Sequence, residues 1–194
     1  LPEEKARGMT IDLGFGRLEL PCPDASGATL SLGIIDVPGH ADFVKNMVAG
    51  VGSIDVAMFV VAADDGWMPQ SEEHLQILSY LGVQTAVIAL TKSDTVEDIE
   101  FSAASVAESL EGSRFEGAPI IPVCAIIGDG LDELRATLAE VISKTSPPGD
   151  KDKPRLSVDR VFSPQGVGTV VTGTMTGGRL KKGQKITIQP QGVT

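Results

Sequence analysis

Residues 56–63 constrain this chain more than any other feature: eight consecutive apolar residues held between Asp55 and Asp64. A run that short, rich in valine and closed by charges, reads as a strand buried on both faces, and it falls far below the roughly 20 residues needed to cross a membrane. The expected strand covers 55–63, and runs 85–90 and 119–123 share its character. Segments with apolar residues three and four apart lie between and after them, predicting helices over 41–49, 69–81 with Gly82 as a stop, 96–110 and 131–143. Strands alternating with helices in this way build an α/β domain around a mostly parallel sheet with flanking helices. Ligands of such sheets gather at the carboxyl ends of the strands.

Two flanking regions depart from that rhythm. Residues 10–20 carry apolar side chains at alternate positions, and a turn-rich stretch, 21–27, separates them from a second run at 30–35, which is a hairpin signal. After Ser146 the sequence becomes Pro147, Pro148, Gly149, Asp150, Lys151, Asp152, Lys153 and Pro154, which can neither continue a helix nor enter a core. We therefore read 1–146 as one domain, 147–154 as a linker, and 155–194 as the beginning of a β-barrel domain. Its predicted strands are 156–162, 169–174 and 185–188, too few to close a barrel.

Composition narrows the function classes. The 194 residues carry a formal charge of −10, so their net field repels polyphosphate backbones, and any RNA contact needs a local patch or other parts of a larger protein. Cys22 and Cys124 are far apart and form no C-x-x-C pattern, which argues against a disulfide framework or zinc site and suits a reducing cytoplasm. The opening residues, Leu1 to Lys5, have neither an initiating methionine nor a secretory pattern, and they read as the middle of a longer gene product.

Chemistry is expected at three strand ends. Asp36-Val37-Pro38-Gly39-His40 follows the strand at 30–35, where an aspartate can hold Mg²⁺ through water and a glycine lets backbone approach a phosphate. Thr91-Lys92-Ser93-Asp94 closes the strand at 85–90. A carboxylate there can accept two hydrogen bonds from N1 and N2 of guanine, a donor pair that adenine lacks, and so reject the wrong base by a factor of about 10⁴. Lys92 would lay its methylene stem along the base. Cys124-Ala125, followed by Gly128-Asp129-Gly130, offers backbone N–H groups toward the guanine O6. Each motif alone is weak; their order and spacing carry the information.

In that order they resemble the translational GTPase family across nearly the whole chain. Arg7-Gly8-Met9-Thr10-Ile11 resembles its first switch, 36–40 its second, 91–94 its guanine-specificity motif, and Cys124-Ala125 its last nucleotide loop. The resemblance implies GTP and GDP as ligands with Mg²⁺. Thr10 and Asp36 would serve the metal, Thr10 and Gly39 would sense the γ-phosphate, Thr91, Lys92, Asp94, Cys124 and Ala125 would bind the nucleotide, and His40 would position the attacking water. It also implies a P-loop-NTPase-like fold, GTP hydrolysis in the intact protein, and the ribosome as partner.

Asp12 in Thr10-Ile11-Asp12-Leu13-Gly14-Phe15, Asp159-Arg160-Val161-Phe162, and Thr174 at the end of 168–174 are similar to the selenocysteine-specific branch of the family. That branch implies delivery of selenocysteyl-tRNA, and binding of a selenocysteine-insertion mRNA element through C-terminal domains not in this sequence. Residues 67–74 resemble the same branch, with His74 as a helix-face residue and not a metal ligand. Other translational GTPases, such as elongation factor Tu or the γ subunit of initiation factor 2, are the alternatives within the family. A remnant or scaffold that no longer binds nucleotide is the alternative outside it.

The departures are equally specific. The phosphate-binding loop G-x-x-x-x-G-K-[ST] is expected before the first switch, yet the sequence contains no Gly-Lys pair, and the first strand of the sheet is expected to be missing with it. Very weak nucleotide affinity is the expectation for the chain as it stands. Cys124 occupies a place where serine is usual, and Thr91 one where asparagine is common.

Overall fold

The structure is a computed structural model that describes residues 13–24, 26–39, 54–145, 151–190 and 192. The helix expected over 41–49, and with it Thr10 and His40, lies outside these residues. The chain divides into two compact units, Leu1–Ser146 and Pro147–Thr194.

The first unit opens with the expected hairpin. Strands β1 (Gly14–Pro21) and β2 (Thr29–Asp36) pair antiparallel, with Gly14 opposite Asp36 and Pro21 opposite Thr29. Their connection is closed by the Cys22 N–H donating to the Ala28 carbonyl at 2.9 Å, and by the Asp24 carboxylate accepting from the Ser26 N–H at 3.0 Å. An aspartate bonding two residues onward is a local turn former, which explains why the polar stretch reverses the chain here. Gly14 also eases the pairing: a Cβ there would come within 3.1 Å of the Asp36 Cβ across the ladder, so Asp36 would have to give by a few tenths of an ångström.

Three parallel strands follow in spatial order β3 (Ala57–Ala62), β4 (Ala86–Thr91) and β5 (Ile120–Pro122). Crossovers α1 (Pro69–Tyr80) and α2 (Ile99–Ser109) join them, and α3 (Leu131–Lys144) comes after the last strand. The side-chain alternation of a strand sends its neighbours to opposite faces, and β4 shows the result plainly. Ala86, Ile88 and Leu90 join Phe59, Val61, Leu75, Leu78, Val106, Leu110 and Phe115 in one cluster. Val87 and Ala89 join Leu134, Leu138, Ala139, Ile121 and Leu20 of the hairpin in another. Helices α1 and α2 therefore contribute to one layer, and α3 with the apolar side of the hairpin to the other. On β3 the alternation ends differently: Phe59 and Val61 are buried, whereas Met58 and Val60 remain 48% and 57% exposed.

Helix boundaries follow capping chemistry. Helix α2 starts three residues after the expected Val96 because the Asp98 side chain accepts the Phe101 N–H at 2.9 Å and makes Asp98 the N-cap. Pro69 occupies the first turn of α1, where its lacking N–H costs nothing, and the helix ends at Tyr80 before Gly82 turns left-handed at φ 81°. No helix among the described residues is long and apolar enough to cross a membrane.

In the second unit β6 (Arg155–Phe162) pairs antiparallel with β7 (Val170–Thr176), with an irregularity between Val158 and Arg160. The run at 185–188, expected as a strand, forms no named strand. Its β-branched pattern fits a pleated surface, but a strand exists only against a partner, and none pairs with it along its length among the described residues.

Phe115 tests the first cluster. It is 2% exposed in the turn after α2 and fills the space between that helix and the sheet. Phe115→Ala should cost about 3–5 kcal/mol of unfolding free energy, read as a fall in the urea midpoint at unchanged slope; an unchanged midpoint would show that the turn does not anchor the core.

Candidate functional site

Parallel pairing brings the carboxyl ends of β3, β4 and β5 to one edge of the sheet, and that edge carries the motifs expected to face the base. Two backbone bonds lock the loops after β4 and β5 together: the Val123 N–H donates to the Leu90 carbonyl at 2.8 Å, and the Ser93 N–H to the Val123 carbonyl at 3.3 Å. The motifs at 91–94 and 124–125, expected at separate strand ends, are thus tied to one another through Val123. Thr91 accounts for its own presence, because its hydroxyl donates to the Val61 carbonyl at 3.2 Å and ties β4 to β3 at the last residue of the strand.

After Thr91 the chain turns sharply. Lys92 adopts left-handed backbone, φ 55° and ψ 38°, and a short 3₁₀ turn, Ser93–Thr95, follows. The Lys92 carbonyl accepts both the Thr95 N–H at 3.0 Å and the Thr95 hydroxyl at 2.8 Å. Asp94 lies in that turn with its carboxylate exposed at the strand edge, where a base could reach it. The lysine side chain runs toward the neighbouring loop: its ammonium donates to both carboxylate oxygens of Asp64 at 2.8 Å and lies 3.4 Å from Asp65. This pairing holds the Lys92 amine above its ordinary range and the Asp64 carboxyl below its own.

Cys124 is buried, while Ala125 is exposed at the start of the loop. The loop folds back on itself: the Cys124 N–H donates to the Asp129 carbonyl at 3.0 Å, and the Gly128 N–H to the Cys124 carbonyl at 2.9 Å. Its last residue, Gly130, is the N-cap of α3 at φ 72°, and a Cβ there would fall 2.0 Å from the Pro122 carbonyl oxygen. Only glycine fits that approach.

The phosphate-side motif has a different setting. Asp36 is the exposed last residue of β2, Val37 packs on the first core cluster, and Gly39 meets His74 of α1. The histidine ring stands edge-on to Phe59 at 6.5 Å, and Phe59 in turn stacks on Trp67 at 5.4 Å. Burial lowers the His74 pKa below 6.5, opposed by the Glu73 charge and by a hydrogen bond to the Gly39 backbone. His74 was legible only as a helix-face residue; its approach to Gly39 joins residues far apart in sequence. Among the described residues no group of three or more His, Cys, Asp or Glu could hold a metal ion. A lone exposed carboxylate such as Asp36 nevertheless suits Mg²⁺, which takes one or two carboxylates and keeps waters and phosphate oxygens for the rest.

The chain matches the family described as elongation factor Tu GTP binding domain over residues 1–144. It is 50% identical over 194 residues to a selenocysteine-specific elongation factor of Desulfomicrobium baculatum, covering 99% of this chain and 30% of that protein. Among solved structures, a bacterial selenocysteine-specific elongation factor superposes with a TM-score of 0.89 at 36% identity, over 100% of this chain and 32% of the other. Translation elongation factor SelB from Methanococcus maripaludis, in complex with the GTP analogue GppNHp, superposes at 0.80 with 30% identity, over 94% of this chain and 39% of the other. The chain therefore spans about a third of the length of these relatives.

Two outcomes follow from the geometry. Gly130→Ala should lose about 2 kcal/mol or more of stability, since it adds left-handed strain to a backbone clash; a denaturation midpoint equal to wild type would show that the loop can re-form around a side chain. For His74, a folded pKa below the unfolded value means that the unfolded chain binds the proton more readily. Its contribution is complete above the ordinary value of 6.5 and is lost as pH falls from there toward the folded pKa. The melting temperature should drop as the pH falls through and below the ordinary value of 6.5, and His74→Gln should flatten part of that drop.

Proposed function

The chain belongs to the translational GTPases that share the elongation factor Tu GTP-binding domain, and from that premise we propose that it forms the guanine-nucleotide switch of a selenocysteine-specific elongation factor. The observation that carries the reading is the pairing of two loops at one sheet edge: 91–94 presents the Asp94 carboxylate, and 124–130 presents backbone from a loop pinned to the same strand ends.

In this reading Asp94 accepts the N1 and N2 hydrogens of guanine, the loop opened by Cys124 and Ala125 donates backbone N–H groups to O6, and Thr91 fixes the end of β4 from which Asp94 is aimed. A carboxylate that finds no donors opposite it loses its solvation without return, which is the physical basis for rejecting adenine. On the phosphate side Gly39 offers backbone that a γ-phosphate can approach, and Asp36 with Thr10 would hold Mg²⁺, which supplies neutralisation of charge on the phosphate oxygens. His40 would orient the attacking water for in-line displacement, a reaction that proceeds by positioning and charge stabilisation without a covalent intermediate. Selenocysteyl-tRNA, the ribosome and a selenocysteine-insertion mRNA element are the proposed partners of the whole factor in the cytoplasm, the mRNA contact being made through further domains.

A titration with fluorescent GDP in Mg²⁺ buffer tests the reading, run on this chain and on a product extended through its upstream coding sequence. GTP should displace the probe and ATP should not, and Asp94→Asn should weaken binding by at least about a hundredfold, the worth of two hydrogen bonds to a charged acceptor. Because the sequence contains no Gly-Lys pair, the extended product should bind far more tightly than the chain alone. Equal affinity for adenine and guanine nucleotides, or no binding by either product, would favour a scaffold without nucleotide.

A further inference from the structure

From the sequence Lys92 is expected as a partner for the base, and Asp64 only as the charge that closes an apolar strand. The structure joins them. Parallel register sets Ala62 opposite Thr91, and the Ala63 N–H donates to the Thr91 carbonyl at 2.8 Å, so the residues that leave β3 and β4 emerge side by side. Across that gap, and 28 residues apart in sequence, the Lys92 ammonium meets both oxygens of Asp64. Lys92 is also the residue forced into left-handed backbone, a conformation that L-residues leave to glycine or asparagine unless something holds them. Its carbonyl anchors the turn that displays Asp94.

We propose that Asp64 is a positioning residue for guanine recognition: by holding the Lys92 ammonium it keeps the 92–95 turn in the one conformation that aims the Asp94 carboxylate at the base. This rests on the guanine-nucleotide reading above. Asp65, 3.4 Å from the same ammonium, is the lesser member of the clamp. The pair is exposed, so its contribution to global stability is small. Its effect lies in the orientation of the loop, where it holds the Lys92 side chain while the Thr95 hydroxyl and N–H hold the Lys92 carbonyl. A lysine released from Asp64 would leave the left-handed region open to relaxation, and Asp94 would move with it, since the turn depends on the Lys92 carbonyl.

The test has a ligand-free arm and a ligand arm. In the first, the backbone amide signals of Ser93, Asp94 and Thr95 are followed by NMR in the wild-type chain and in Asp64→Asn, Lys92→Met and the double variant. The two single variants should shift those signals alike, and the double variant should add nothing further; unmoved amides, or two unrelated and additive shifts, would overturn the proposal. In the second arm, fluorescent GDP is titrated against the same variants in the product extended upstream. Asp64→Asn should raise the dissociation constant roughly tenfold with the melting temperature unchanged, Asp64→Glu should recover part of the loss, and Asp64→Asn should have no effect in the Lys92→Met background. Full affinity in Asp64→Asn would sink the proposal. If wild type binds no guanine nucleotide while the amide shifts behave as expected, the nucleotide reading fails and the clamp itself stands.

Discussion

Strand β4 is the element on which the first unit depends. It is paired along both edges, by β3 on one side and β5 on the other, and its residues from Ala86 to Leu90 are buried on both faces. Its odd and even positions feed separate hydrophobic layers, so the register of this one strand decides which side chains meet α1 and α2 and which meet α3 and the hairpin. Burying a strand on two faces is possible only where every residue is apolar. The run of valine, isoleucine, alanine and leucine there is a direct consequence.

The site inherits its geometry from the same constraint. A strand gripped on four sides ends at a fixed place, and the turn after Thr91 begins from that fixed point. Backbone bonds from Val123, just past β5, to Leu90 and from Ser93 to Val123 then carry the precision of the sheet into the loops. Asp94 can be exposed, and therefore available, while the backbone bearing it is held by hydrogen bonds at 2.8 and 3.0 Å on the Lys92 carbonyl. Function sits on loops, but the loops are only as well placed as the strands that emit them.

Much of this was legible in the residues. The runs at 55–63, 85–90 and 119–123 announced strands because continuous apolar stretches of that length have few other uses, and the helices declared themselves by period. The shortfall is physical in each case. Asp98 could have placed the start of α2 from its capping preference, but the apolar spacing before it was the louder signal. Residues 185–188 look like a strand by composition, whereas pairing is a property of two segments. The site motifs were readable as separate loops; that Ser93 bonds Val123, the residue before Cys124, follows from parallel order, which sequence implies only through topology. The Asp64–Lys92 pair and the approach of His74 to Gly39 joined residues far apart in sequence, and no local pattern marks such contacts.

The left-handed backbone at Lys92 has a consequence for engineering. Glycine would occupy that position with less strain, and asparagine nearly so, so a chain selected only for thermal robustness would drift toward either. Retaining a long cationic side chain at such a torsion sets a local loss of stability against a charge in a particular place. Replacing Lys92 by glycine would then relieve the backbone while removing the charge that meets Asp64, so stability and loop placement pull in opposite directions at this one residue.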